Sequence, residues 1–97
     1  MFRNKRYMTK GITCDVPVLI QILLWNLIDT MDVSQKDYLQ VFTLSDDGGR
    51  QKIIHTQEIP EYKREYLISL SDTPLFAGKI FVMDESEYSI MLKADEY

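Results

Sequence analysis

The sequence predicts an α+β fold: one long N-terminal helix packed on a curved, mainly antiparallel sheet, or capping a small open barrel, of five to six strands. Three observations support this class. An apolar run with helical spacing follows a short basic segment near the start of the chain. Later segments rich in β-branched and aromatic residues alternate in polarity. Glycine, proline and aspartate, which are typical of turns, separate those segments.

The helix is predicted from about Val16 to Met31. Asp15 is the expected N-cap, and Pro17 falls in the first turn, where its missing N–H has no hydrogen bond to lose. At 100° per residue, one half of the helix is continuously apolar and should be buried against the sheet. That half consists of Val16, Leu19, Ile20, Leu23, Leu24, Leu27, Ile28 and Met31.

The other half of the helix carries a second apolar stripe formed by Val18, Ile22 and Trp25 at i, i+4 and i+7. A helix that covers one face of a sheet does not need this stripe. Either another segment of the chain covers it, or it is an interface with a partner protein or a second copy. Tryptophan is enriched among interface anchors, so Trp25 is the expected anchor of such an interface.

The strands are predicted at residues 6–13, 38–44, 50–59, 65–70, 79–84 and 88–92. The stretch "SDDGG" forms a hairpin turn between the second and third strands, because aspartate and glycine tolerate left-handed backbone conformations. Pro60 ends the third strand. The following stretch "PEYKREY" fits either a short helix or a strand, so residues 60–66 are left undecided.

The length of 97 residues accommodates a single domain over residues 1–97. The formal net charge is -4, whereas most nucleic-acid-binding domains are basic. This charge argues against nucleic acid as a partner. The basic start of the chain keeps this alternative open, and it comprises Arg3, Lys5, Arg6 and Lys10.

The single cysteine, Cys14, excludes an internal disulfide and suits a reducing cytoplasm. Asp15, Pro17, Gln21 and Asn26 interrupt the apolar run near the N-terminus, and no small-residue cleavage site follows it. The run is also too short to span a bilayer. We therefore expect a cytoplasmic protein with no membrane association.

The chain's one histidine, His55, lies close in sequence to Glu58 and Glu61. An enzyme or a metal site would combine His55 with one of these carboxylates or with Asp84. In a regular strand, however, His55 and Glu58 point to opposite faces, and the spacing matches no zinc motif. We expect a surface or half-buried histidine and predict no catalytic residue, metal or cofactor.

The segments "QKIIH", "QEIPEY" and the closing "DEY" are the most distinctive of the chain. In these segments, and over most of its length, the chain resembles domain of unknown function family 960, a family of small Firmicutes proteins that includes staphylococcal members. The resemblance implies a bacterial, cytoplasmic setting and brings no reaction, ligand or catalytic residue with it. More distantly, "GKIFVMD" and "YSIML" after a helix are similar in layout to the YolD-like proteins, which are often associated with phages.

The expected function is a non-enzymatic protein-interaction or self-associating module. Its interface would be formed by Val18, Ile22 and Trp25. The first alternative is a small enzyme or metal-binding protein that uses His55 with nearby carboxylates. The second is a phage- or nucleic-acid-associated protein.

Overall fold

A computed structural model describes residues 1–97 and contains six strands, two α-helices and a C-terminal 3-10 turn. The strands are β1 (Lys5–Met8), β2 (Leu39–Asp47), β3 (Arg50–Gln57), β4 (Tyr62–Ile68), β5 (Gly78–Asp84) and β6 (Tyr88–Lys93). The helices are α1 (Lys10–Asp15) and α2 (Val18–Asp29), and the 3-10 turn is Ala94–Glu96. The predicted α+β class is confirmed.

The six strands form one open sheet in the order β1-β6-β5-β2-β3-β4. β1 runs parallel to β6, and every other neighbouring pair is antiparallel. The undecided stretch 60–66 enters strand β4 at Tyr62. The first strand, predicted over 6–13, ends at Met8 because Thr9 caps α1: its side chain accepts a hydrogen bond from the backbone N–H of Ile12.

The prediction of one long helix is wrong, because the chain forms two shorter helices that are separated at Val16 and Pro17. Val16 is extended, with φ -108° and ψ 121°, and Pro17 is the N-cap of α2. A proline ring clashes with the helical conformation of the residue before it, so Val16 is excluded from the helix. Asp15 is not an N-cap; it is the last residue of α1 and pairs with Lys93.

Helix α2 packs on one face of the sheet and forms most of the apolar core with it. The predicted helical positions that are fully or nearly buried are Val16, Ile20, Leu24, Leu27 and Ile28. The strands contribute Phe42, Leu44, Ile53, Ile80, Val82 and Met91. Leu19 differs from the prediction, because it is 48% exposed although it was expected to be buried. Trp25 is only 9% exposed, so for this member of the second stripe the alternative of coverage within the chain holds.

The two ends of the chain meet at the β1 edge of the sheet. The Glu96 carboxylate accepts hydrogen bonds from the Thr9 hydroxyl (2.7 Å), the backbone N–H of Lys93 (2.8 Å) and the backbone N–H of Gly11 (3.1 Å). These bonds, chiefly that from Thr9, hold the pKa of Glu96 below its usual value. Gly11 permits the approach, because a Cβ there would lie 2.5 Å from Glu96 Oε2.

Gly11→Ala should therefore displace the Glu96 carboxylate, and it should cost about 1–2 kcal/mol more of the free energy of unfolding in the wild type than where that carboxylate is absent, the value of one or two lost hydrogen bonds. Urea denaturation measures this change. In a Glu96→Ala background the same substitution should be neutral or stabilising, since alanine favours a helix over glycine by about 1 kcal/mol. Equal effects of Gly11→Ala in both backgrounds would show that the contact does not constrain residue 11.

Candidate functional site

The outward side of α2 exposes three apolar side chains, Val18, Leu19 and Ile22, which we call the α2 outer face. Their exposed fractions are 66%, 48% and 59%. The helix is held firmly beneath them, because its opposite side is buried in the core. The α2 outer face is therefore a fixed apolar surface in contact with solvent, and such surfaces mark binding sites more often than isolated apolar residues do.

Trp25, the third member of the predicted stripe, is covered from within the chain. The Arg6 guanidinium lies over its indole, with Cζ 4.6 Å from the ring centroid, a cation–π contact. Arg6 is fixed there by hydrogen bonds to both Asp29 carboxylate oxygens and to the Phe2 carbonyl oxygen. The N-terminal segment thus covers Trp25 but leaves Val18 and Ile22 exposed.

A groove of about 540 Å³ runs beside the α2 outer face. Arg6 and Asp29 form one polar margin, and Trp25 contributes to the lining. Leu19 and Ile22 line the apolar part. Sequence analysis placed Leu19 on the buried side and so missed it. One signal in the sequence pointed to its exposure: α2 has a single charged residue, Asp29, so some of its surface positions have to be occupied by apolar residues.

His55 is fully buried, which corrects the expectation of a surface or half-buried histidine. Its ring stacks on Phe42, with centroids 4.3 Å apart, and meets the edge of Tyr62 at 5.2 Å. The Nε2 atom lies 2.7 Å from Gln40 Oε1, whereas Nδ1 has no hydrogen-bond partner. The neutral ring with its hydrogen on Nε2 fits this pocket.

Burial lowers the pKa of His55 from 6.5 to about 4, because the cationic ring would lose its hydration. Glu58 and Glu61 are exposed in the turn after β3, and neither hydrogen-bonds to the ring. No three His, Cys, Asp or Glu side chains are grouped so that they could hold a metal ion. The structure therefore does not bring His55, Glu58 and Glu61 together into the polar site considered from the sequence.

Asp84, the third carboxylate considered with His55, holds the N-terminal segment. Asp84 accepts hydrogen bonds from the backbone N–H of Phe2 (2.8 Å), the Asn4 side chain (3.2 Å) and the backbone N–H of Ser86 (2.7 Å). Its carboxylate is therefore occupied by the N-terminal segment. Of the four basic residues near the N-terminus, Arg6 is the one that packs into the groove beside α2.

A buried glutamine network, which sequence analysis did not identify, surrounds the histidine. Gln40 donates through Nε2 to the Asp37 carbonyl oxygen (2.9 Å) and to Gln57 Oε1 (2.7 Å). This arrangement turns Gln40 Oε1 toward His55. Gln57 in turn donates to the carbonyl oxygens of Gln35 (3.1 Å) and Pro60 (2.8 Å). The network connects β2 and β3 to the loops at one end of the sheet.

The comparisons with known proteins agree with this description of the fold. The family described as "Staphylococcal protein of unknown function (DUF960)" matches residues 5–96. A crystal structure of a protein of unknown function from Enterococcus faecalis is 21% identical, with a TM-score of 0.85, over 97% of this chain and 91% of that chain. It shows a shared fold. No curated protein matches the sequence. Neither helix is long and apolar enough to cross a membrane. The chain belongs to the staphylococcal protein family of unknown function DUF960.

Proposed function

We propose that the protein is a non-enzymatic module that self-associates, with two copies packing through their α2 outer faces. The observation that carries this proposal is the exposure of Val18, Leu19 and Ile22 on a helix whose other side is fixed in the core. Burying these side chains against a second copy would remove apolar surface from water. The same patch on both copies is the usual arrangement in a two-fold dimer.

The charge distribution permits a second copy as the occupant. The chain carries a formal charge of -4, so two copies repel each other over most of their surface. Within α2 the only charged residue is Asp29, and Arg6 neutralises it. The α2 outer face is therefore a neutral region through which two acidic molecules approach without strong repulsion.

Trp25 lies beneath this interface, and Ile22 is the proposed anchor in place of Trp25, which the sequence had suggested. Because Arg6 already covers the indole, Trp25 contributes little new area to a dimer. It is also the chain's only tryptophan and lines the groove, so its fluorescence reports on contact there. The interface Val18, Ile22 and Trp25 stays a prediction, with Leu19 added.

A patch confined to one helix supports only weak association, with a dissociation constant on the order of 100 µM. Sedimentation velocity between about 10 µM and 1 mM, a range centred on that value, should show the average mass rising toward that of a dimer. Ile22→Lys should weaken association by about tenfold or more, because each dimer would then bury two unpaired ammonium groups.

Ile59→Lys is the matched control. Ile59 is 76% exposed but lies in the turn after β3, away from α2, so the same substitution there adds equal charge. It should leave association unchanged, and the Trp25 emission should shift with concentration only in proteins that keep Ile22. A wild-type protein that stays monomeric at the highest concentration, or equal losses for both variants, would contradict the proposal.

We place this module in the bacterial cytoplasm. The staphylococcal family supports a bacterial origin. The single cysteine, Cys14, is exposed and free, and a free exposed thiol is compatible with a reducing compartment.

A further inference from the structure

A cavity of about 280 Å³ lies at one end of the sheet, on the side that points away from α2. Its floor is apolar and comes from Leu39 and Val41 of β2, with Thr56 of β3 beside them. The register pairs Val41 with Thr56, and continuing it by two residues places Leu39 opposite Glu58. Pockets for drug-sized ligands measure roughly 300–1,000 Å³, so this cavity suits a smaller ligand.

Two carboxylates line this cavity, Asp37 and Glu58, and neither forms a salt bridge with a cation of the chain. An adjoining depression shares Glu58 and is also lined by Glu61 and Lys63, so it adds one carboxylate and one ammonium group. Lys36, the sequence neighbour of Asp37, forms no salt bridge either. Even with both lysines counted, carboxylates outnumber cations around the cavity.

Asp37 is held in place by the buried glutamine network. Its backbone N–H donates to Gln57 Oε1 (2.8 Å), and its carbonyl oxygen accepts from Gln40 Nε2 (2.9 Å). Its Oδ2 atom accepts from the backbone N–H of Ile59 (3.1 Å), whereas Oδ1 accepts no hydrogen bond from the chain. The network thus fixes a carboxylate that has one oxygen available to a ligand. A group that is already fixed loses little freedom when the ligand binds.

We infer that this cavity binds a protonated primary amine at the end of a short aliphatic chain. The ammonium group would meet Asp37 Oδ1 and the Glu58 carboxylate in charge-assisted hydrogen bonds. The methylene groups would lie on Leu39 and Val41, where their burial is favourable. Such an amine has two sources, a free diamine or the lysine side chain of a partner protein. The inference goes beyond association through α2, which packs on the other side of the sheet.

Two other classes of ligand fit the cavity less well. A divalent metal ion takes six or more oxygen ligands, and no three His, Cys, Asp or Glu side chains are grouped to supply them. An apolar floor offers such an ion nothing. An anion such as phosphate would be repelled by the two carboxylates.

Titration of the isotope-labelled wild-type protein with pentylamine, followed by amide chemical shifts, tests this inference. We expect a dissociation constant on the order of 1 mM, since the ligand is small. Pentanol keeps the chain without the charge, and methylammonium keeps the charge without the chain. Each should bind at least about tenfold more weakly than pentylamine. The largest shifts should fall on Leu39, Val41 and Glu58. Equal binding of pentylamine and either analogue, no saturable binding, or shifts centred elsewhere would overturn the inference.

Paired substitutions separate a specific site from attraction by the net charge. Asp37→Asn with Glu58→Gln removes both charges at nearly unchanged shape, and an amide at residue 37 still accepts from the Ile59 N–H. This double variant should bind pentylamine at least about tenfold more weakly. Asp46→Asn with Asp47→Asn removes equal charge at the far end of β2, roughly 30 Å away, and should leave the affinity nearly unchanged. Equal losses in both double variants would contradict a specific site.

Two further ligands distinguish the sources of the amine. Tighter binding of cadaverine than of Nα-acetyl-lysine methylamide would support the inference and identify a free diamine. The reverse order would support it and identify a lysine side chain of a partner protein. Calcium ions that bind at the same residues more tightly than pentylamine would overturn the inference in favour of a metal site.

Discussion

Replacing Gln57 with alanine is expected to lower the free energy of unfolding by about 3 kcal/mol. The Gln57 side chain is 4% exposed and makes four hydrogen bonds. Its Oε1 accepts from the backbone N–H of Asp37 and the side chain of Gln40, at 2.8 and 2.7 Å. Its Nε2 donates to the carbonyl oxygens of Gln35 and Pro60. All four partners would lose a bond at once.

The cost is large because these partners are difficult to rehydrate. Gln40 is fully buried, so its Nε2 group would retain only the bond to the Asp37 carbonyl oxygen. Each unsatisfied buried polar group costs about 1–3 kcal/mol. The loop before β2 and the turn after β3 would also lose their shared anchor, because both are held by the one side chain.

Urea denaturation of Gln57→Ala and Thr56→Ala provides the comparison. Thr56 is the neighbouring residue in β3 but lies on the side of the sheet that points away from α2, so its replacement shortens a strand side chain without affecting the network. Thr56→Ala should cost less than about 1 kcal/mol, as surface substitutions usually do. A similarly small cost for Gln57→Ala would mean that water replaces the network's hydrogen bonds.

The second large effect is a loss of stability in acid that depends on His55. Its pKa is lowered by burial to about 4 in the folded protein and returns to 6.5 when the chain unfolds. Between these two values the unfolded chain binds a proton that the folded protein does not bind. Stability is therefore complete above pH 6.5 and falls as the pH drops toward 4, by about 3 kcal/mol.

The groups that face His55 do not offset this penalty. Phe42 and Tyr62 pack on its ring, and Gln40 Oε1 already accepts the hydrogen bond from Nε2. Arg64 lies opposite His55 in the register of β4, and its guanidinium rests over the Tyr62 ring.

His55→Gln keeps a side-chain donor near Gln40 and removes the titrating group. Thermal or urea unfolding at pH 7 and pH 4 should show wild-type stability falling by about 3 kcal/mol more than that of His55→Gln. Comparing each protein with itself cancels the fixed cost of the substitution. An equal fall in both proteins would mean that carboxylates, not His55, cause the acid sensitivity.

The local pattern of the sequence was sufficient for the α+β class and for most strands, because alternation and turn residues act over a few neighbouring positions. The local pattern could not show contacts between segments that are distant in the sequence. For Trp25 the sequence left two alternatives, coverage within the chain or an interface, and the contact with Arg6 of β1 decides for coverage. The split of the long helix, by contrast, followed from a local rule, the exclusion of Val16 from the helix by Pro17.

The family, the fold class and the division of each strand into two alternating faces follow from the amino-acid sequence. Which face turns inward was decided by the tertiary structure. In β3 the side bearing Gln51, His55 and Gln57 is buried, while that bearing Ile54 and Thr56 remains partly exposed. The glutamines fit inside because other segments supply partners for their amides: the loops before β2 and β5, the turn after β3, and Gln40 of β2. Those partners are remote in sequence, so side-chain polarity alone could not reveal the buried face.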